Sequence, residues 1–277
     1  MKLFNLIKKI FKKQPAKTGN HLVDFYNRID EDSRLTTKHG RIEFLTTVKY
    51  VEKYLKDGMR IMEIGAATGR YSHYFARKGF EVDAVELIEH NIELFKSKTL
   101  PGENVSIRQG NVIDLSEYPD DSYDVTLLLG PMYHLYTVDE QKKALSEAMR
   151  ITKNGGFVFV AYCMVDPSVL TGIFKNNKVQ QSIEDGLITT ETFETYFPPH
   201  GVFKLYTRDE IFELTKKLNA KRLHFLATDG YALHMRETID KMDKETYSLY
   251  LKYHLKTCEG QDLIGLSHHT LDVLRKE

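Results

Sequence analysis

No apolar run in the chain approaches the ~18 residues that a membrane-spanning helix needs. Near the start, Lys8, Lys9, Lys12 and Lys13 interrupt the one apolar stretch before it reaches the length of a secretory signal. Neither charge is in surplus: 39 Lys and Arg against 39 Asp and Glu leave no molecule-wide field toward nucleic acid or an anionic membrane. Cysteine is scarce as well. Cys163 and Cys258 lie far apart without zinc-site or redox spacing, and read as structural thiols in a reducing compartment. Internal repeats are missing, and the only compositional bias is the lysine-rich start. These absences predict a cytoplasmic globular protein. With 277 residues, 42% of them hydrophobic, it can bury a large core as one elaborated domain or two small ones.

Periodicity then divides the chain. Leu3, Phe4, Ile7, Ile10 and Phe11 recur at helical spacing with lysines opposite, so residues 1–19 read as a basic amphipathic segment. Its first 14 residues could rest on a membrane surface or a partner, or pack on their own domain. Residues 20–58 read as helices, one around HLVDFYNRI and another through RIEFLTTVKYVEKYLKDG. After Gly58 short apolar runs alternate with amphipathic segments: RIMEI, FEVDAVE, NVSIRQ, YDVTLLL and GFVFVAYC are the strands. That alternation predicts an α/β fold whose largely parallel sheet is covered by helices on both faces. The rhythm lapses over 166–200, read as a helical insertion after the fifth strand. It resumes with a helix in RDEIFELTKKLNA, a strand in RLHFLATDG, one helix over roughly 237–257 and a final strand in HHTLDVLRK.

Chemistry concentrates at strand ends. MEIGAATGR, Met62 to Arg70, joins a strand to a helix through small residues, which lets backbone approach a ligand and leaves helix-start amides free. Glu86 closes the next strand, where a carboxylate can accept from both ribose hydroxyls, with Leu87 beside it. Asn111 and Val112 follow the third strand and could read an adenine edge. The fourth ends at Leu129 and GPMYHL. Ligands of open α/β sheets bind at such carboxyl ends. The glycines are spaced G-x-x-x-G with an acid two residues before the first, unlike a nicotinamide loop, and no G-x-x-x-x-G-K-[ST] loop is present for nucleotide hydrolysis.

From about residue 40 onward the chain resembles the class I S-adenosylmethionine-dependent methyltransferases, of the bacterial small-molecule type. The resemblance rests on Glu63, Gly65, Ala67 and Gly69 as the first motif, Glu86 as the second-strand acid, Asn111 where the family more often has Asp, and LLLGPMYHL after the fourth strand. Ala67 stands where the family usually has glycine. The resemblance implies a Rossmann-like seven-stranded sheet with an antiparallel last strand, S-adenosylmethionine as cofactor, S-adenosylhomocysteine as product and a small-molecule acceptor. It also implies that residues 20–58 act as a lid, with Arg34 pairing the cofactor carboxylate and Tyr26 nearby. His134 and Tyr133 are the candidate catalytic residues, His134 being the choice if a base is used. Loop packing is the alternative role for His134, and pairing with Asp30 or Glu31 the alternative for Arg34. Phe193, Tyr196, Phe197, Phe203 and Tyr231 are candidates for a substrate cover. His268 and His269 would point to opposite faces of a strand, and no metal site is expected. An RNA acceptor or a catalytically silent cofactor- or partner-binding module are the alternatives; net neutrality and the lack of an RNA-binding module argue against RNA.

Overall fold

β-Branched and aliphatic runs too short for helices become strands because, as the inner strands of one sheet, they lose both faces to packing. The computed structural model describes residues 18–29, 31–191, 193, 195 and 202–277. The strands are β1 (Arg60–Ile64), β2 (Glu81–Glu86), β3 (Val105–Gln109), β4 (Tyr123–Leu128), β5 (Thr152–Cys163), β6 (Ala220–Ala227) and β7 (His269–Lys276). They form one seven-stranded sheet in the order β3-β2-β1-β4-β5-β7-β6. The first five run parallel, and β7 pairs antiparallel with both β5 and β6. The α/β architecture read from the alternation is the one observed.

Successive strand residues feed opposite cores. Met62, Ile64, Leu128, Val158 and Val160 pack beneath α5 (Val138–Ile151) and α8 (Arg208–Thr215). Ile61, Val125, Leu127 and Phe159 pack on the other face beneath α2 (Lys38–Glu52) and α3 (Arg70–Arg77). Each such side chain contributes roughly 1.5–3 kcal/mol on burial. Both helices of the first face start at a reciprocal cap, Thr137 with Glu140 and Thr207 with Glu210, which satisfies amides that have no partner within the helix.

Three further segments frame the strand ends. The short helix α1 (Thr18–Tyr26) precedes α2, and α4 (Glu89–Lys98) follows β2. After β5 the chain forms α6 (Val165–Val169), a π-helical turn at Leu170–Phe174 and α7 (Val179–Glu184), so the insertion is helical as expected. The single helix expected over 237–257 is two, α9 (Arg236–Lys241) and α10 (Lys244–Thr257). Asp243 separates them because its side chain accepts from Thr246 N–H and starts a new helix. A last short helix, α11 (Gln261–Ile264), leads into β7. The basic segment 1–14, Pro15, Asp30, Tyr196 and Phe197 lie outside the described residues. No helix among the described residues is long and apolar enough to cross a membrane.

Candidate active site

At the carboxyl ends of β1, β2 and β4 the sheet opens into a cavity of about 270 Å³. Leaving β1, the chain turns through Gly65 (φ +74), Ala67 (φ +47) and Gly69 (φ +86), three left-handed residues in five. Gly65 has no room for a side chain, since a Cβ there would sit 2.6 Å from the Pro131 ring after β4. Ala67 takes the left-handed conformation at a cost and is held there, its N–H donating to Glu86 Oε2 at 2.8 Å.

Glu86 is the hub of this end. Its Oε1 accepts from Ile88 N–H at 2.9 Å and from the Asn91 amide at 3.2 Å. The carboxyl is buried, which raises its pKa, while these donors oppose the shift. Glu63 is more deeply enclosed. Ser72 donates to it, but burial pushes its carboxyl up to about 8, with neighbouring Glu86 adding to the rise. Beyond β3, Asn111 Oδ1 accepts from Ile113 N–H at 3.2 Å in a tight turn, and Val112, Ile113 and exposed Leu87 all line the cavity.

One cavity therefore gathers every candidate cofactor and catalytic residue but Gly69. Tyr26, Arg34, Glu63, Gly65, Ala67, Glu86, Leu87, Asn111, Val112 and Leu129 line it, as do Tyr133 and His134. Gly69 does not line it. It begins α3, and a Cβ there would meet Phe95 at 2.5 Å and His73 at 2.7 Å, so this glycine serves helix packing.

Residues 62–160 match the methyltransferase-domain family, a span that starts at the strand bearing Glu63 and ends within β5. Over that stretch the chain is similar to a methyltransferase domain. Among solved structures it is similar to a Pyrococcus horikoshii protein, with a TM-score of 0.60 at 16% identity over 92% of this chain and 99% of that one. A Thermotoga maritima protein described as a SAM-dependent methyltransferase, possible histamine N-methyltransferase, gives 0.55 at 18%, over 93% and 99%. In sequence it is 28% identical to an S-adenosyl-L-methionine-dependent Diels-Alderase of Talaromyces variabilis, over 37% of this chain and 35% of that protein. A demethylmenaquinone methyltransferase of Clavibacter sepedonicus is 31% identical, over 40% and 43%. Two archaeal relatives named as ribosomal RNA methyltransferases, from Methanocaldococcus jannaschii and Pyrococcus abyssi, match at 33% and 28% over 35% and 47% of this chain and 26% and 28% of their own lengths. The chain thus spans less than half the length of the curated relatives it matches.

Leu22, Tyr26, Arg34 and Leu35, from the segment before the sheet, also line the cavity. Tyr26 O–H meets His134 Nε2 at 2.7 Å, and His134 Nδ1 lies 2.9 Å from Val202 O. A carbonyl only accepts, so Nδ1 carries the proton and Nε2 accepts from the tyrosine. Burial pulls this imidazole down to about 4. Both ring nitrogens of His134 are thus occupied, and the side chain pins α1 across the cavity. Tyr133 gives its hydroxyl to Leu129 O at 2.7 Å, where burial raises its pKa. Arg34 bonds Glu31 at 2.7 Å and, unforeseen from the sequence, Glu43 at 2.8 Å.

The proposed aromatic cover is only partly assembled here. Phe203 joins Phe25, Tyr133 and His134 in ring contacts, whereas Tyr231 stacks on His234 and Phe193 lies exposed near Phe174. Sequence reasoning missed a latch in which Thr68 donates to Asp32 at 3.0 Å and Lys98 closes on the same carboxylate, lowering its pKa. Nothing in the local pattern marks Asp32 as a partner of residues so far along the chain.

Proposed function

We propose that the protein binds S-adenosylmethionine in this cavity and transfers its methyl group to a small-molecule acceptor, releasing S-adenosylhomocysteine. The observation that carries the reading is Glu86, a buried carboxylate at the end of β2 with its oxygens turned to the loop after β1 and the turn after β2. Leu87, Val112 and Ile113 add apolar wall suited to a planar base, and Arg34 lines the same cavity. This donor set fits an adenosyl group joined to an amino acid. When bound, the cofactor supplies an activated methyl carbon; the protein supplies alignment and exclusion of water. The Tyr26–His134 bond between two residues of the cavity lining supports a small acceptor, as does the zero formal net charge.

Calorimetric titration tests the reading. S-adenosylhomocysteine should bind at micromolar concentration and NAD should not; Glu86→Ala should weaken binding by about tenfold or more, because it removes a charged acceptor. Binding of NAD with no binding of the homocysteine compound would sink the proposal. A second reading, cofactor binding without methyl transfer, is favoured by one observation: both ring nitrogens of His134 are engaged, and Tyr133 donates its hydroxyl proton to Leu129 O. Incubation with methyl-labelled cofactor and a panel of small nucleophiles separates the two readings, since only the first yields labelled product.

A further inference from the structure

Five charged side chains alternate in sign along a line from the cavity wall to the end of the sheet. Glu31 accepts from Arg34 Nε at 2.7 Å, and Arg34 Nη1 donates to Glu43 Oε2 at 2.8 Å. The same Glu43 oxygen is 3.5 Å from His269 Nδ1, which is 2.9 Å from Asp229 Oδ2. These residues come from the segment after α1, from α2, from the loop after β6 and from the first position of β7. Only Glu31 and Arg34 line the cavity. The other three stand behind them.

The far end of the line is fixed. Asp229 Oδ1 accepts from Ser267 Oγ and from His269 N–H, so one carboxylate grips both the backbone and the ring of His269. Asp229 has 7% of its side chain exposed and Glu43 14%, so solvent screens the pairing weakly. Burial alone would lower the imidazole's pKa. Glu43, then Cys163 across the β5–β7 pair and Asp229, more than reverse this and hold it well above the ordinary value. These neighbours favour the charged ring, and among the described residues Glu43 has Arg34 as its one other cationic partner. Arg34 Nη2 is used in neither of its two ion pairs.

We infer that His269, gripped by Asp229, is a positioning residue: through Glu43 it sets the Arg34 guanidinium at the cavity wall so that Nη2 meets the carboxylate of the cofactor's amino-acid end. The inference rests on the cavity being the S-adenosyl site proposed above. A planar guanidinium held by two carboxylates at two of its nitrogens presents the third in a fixed direction, which suits a carboxylate better than a freely rotating side chain would.

The test compares S-adenosylhomocysteine with methylthioadenosine, which keeps the adenosyl group and sulfur but lacks the amino-acid carboxylate. Both are titrated into the full chain as wild type, Arg34→Met, His269→Gln and the double variant. Each single variant should weaken S-adenosylhomocysteine by about tenfold or more and leave methylthioadenosine within about twofold, since a charge-assisted bond is lost for one ligand alone. The double variant should bind no more weakly than Arg34→Met, because both changes act through one guanidinium. Equal losses for both ligands in His269→Gln would make His269 a structural prop, and an unchanged S-adenosylhomocysteine affinity would remove it from ligand binding; either result overturns the inference. Should His269→Gln not fold, Asp229→Asn is measured in its place with the same split required. Failure of the wild type to bind either ligand would instead bring down the reading of the cavity itself.

Discussion

Replacing Glu63 with Gln should stabilise the ligand-free protein, and by an amount that depends on pH in a defined way. Glu63 is 2% exposed, and burial lifts its carboxyl from 4.5 to about 8. Between those pH values the folded protein keeps a proton that the unfolded chain has released, so folding binds protons and stability falls as pH rises across the window. At about 1.4 kcal/mol per pH unit, the loss due to this one group is about 3 kcal/mol at pH 7 and levels near 5 kcal/mol above pH 8. Glutamine copies the protonated form: its oxygen can accept from Ser72 as the carboxyl does, and it has no charge to bury. The variant and the wild type should therefore be equally stable near pH 4 and diverge with that slope to pH 8. Urea denaturation at several pH values measures the difference directly, and taking the difference cancels titrations the two proteins share. A difference that stays flat from pH 4 to 8 would show that Glu63 ionises normally in its burial site and would refute the reasoning.

Three other perturbations test separate parts of the structure. Asp272 is fully buried on β7 and is bonded by Arg222 at 2.8 and 2.9 Å; Arg222→Met should cost about 3–5 kcal/mol in urea denaturation, and a loss below about 1 kcal/mol would contradict the pairing. Ala67→Gly should relieve left-handed strain of about 1–2 kcal/mol against a smaller gain in unfolded-state entropy. A net loss of stability there would mean that the Ala67 methyl packs usefully. Tyr26→Phe and His134→Ala remove opposite halves of one hydrogen bond, so if the pair is a latch both should raise the rate of proteolysis near residue 26 several-fold and alter turnover alike. A loss of turnover of about 100-fold or more in His134→Ala alone would restore that residue as the base.

The parts of the fold legible in the sequence are those whose cause is local. Ile61, Met62 and Ile64 read as an inner strand because apolar residues on both sides of the chain fit only where both faces are covered, and Ile61 feeds one core while Met62 and Ile64 feed the other. The loop at Gly65 and the acid at Glu86 could be placed together because strand order and strand ends follow from the alternation of elements. Gly69 shows where that reasoning weakens: the motif marks the glycine, but Phe95 on α4 is what requires it. Asp243 divides a helix that periodicity alone runs straight through, since a cap competes with the pattern on each side. His134 could be placed at the mouth of the site, yet its partners Tyr26 and Val202 depend on how distant segments fold over it. The charged line from Glu31 to Asp229 is the limiting case, because every carboxylate in it reads as an ordinary surface residue until α2 and the β6–β7 ends meet. The Gly65–Glu86 part of the cavity is built on consecutive strand ends, whereas the Tyr26–His134 part is built from pairings between segments that share no local pattern. The first motif can therefore announce the ligand loop, while the rest of the cavity wall is set by contacts that only the folded chain creates.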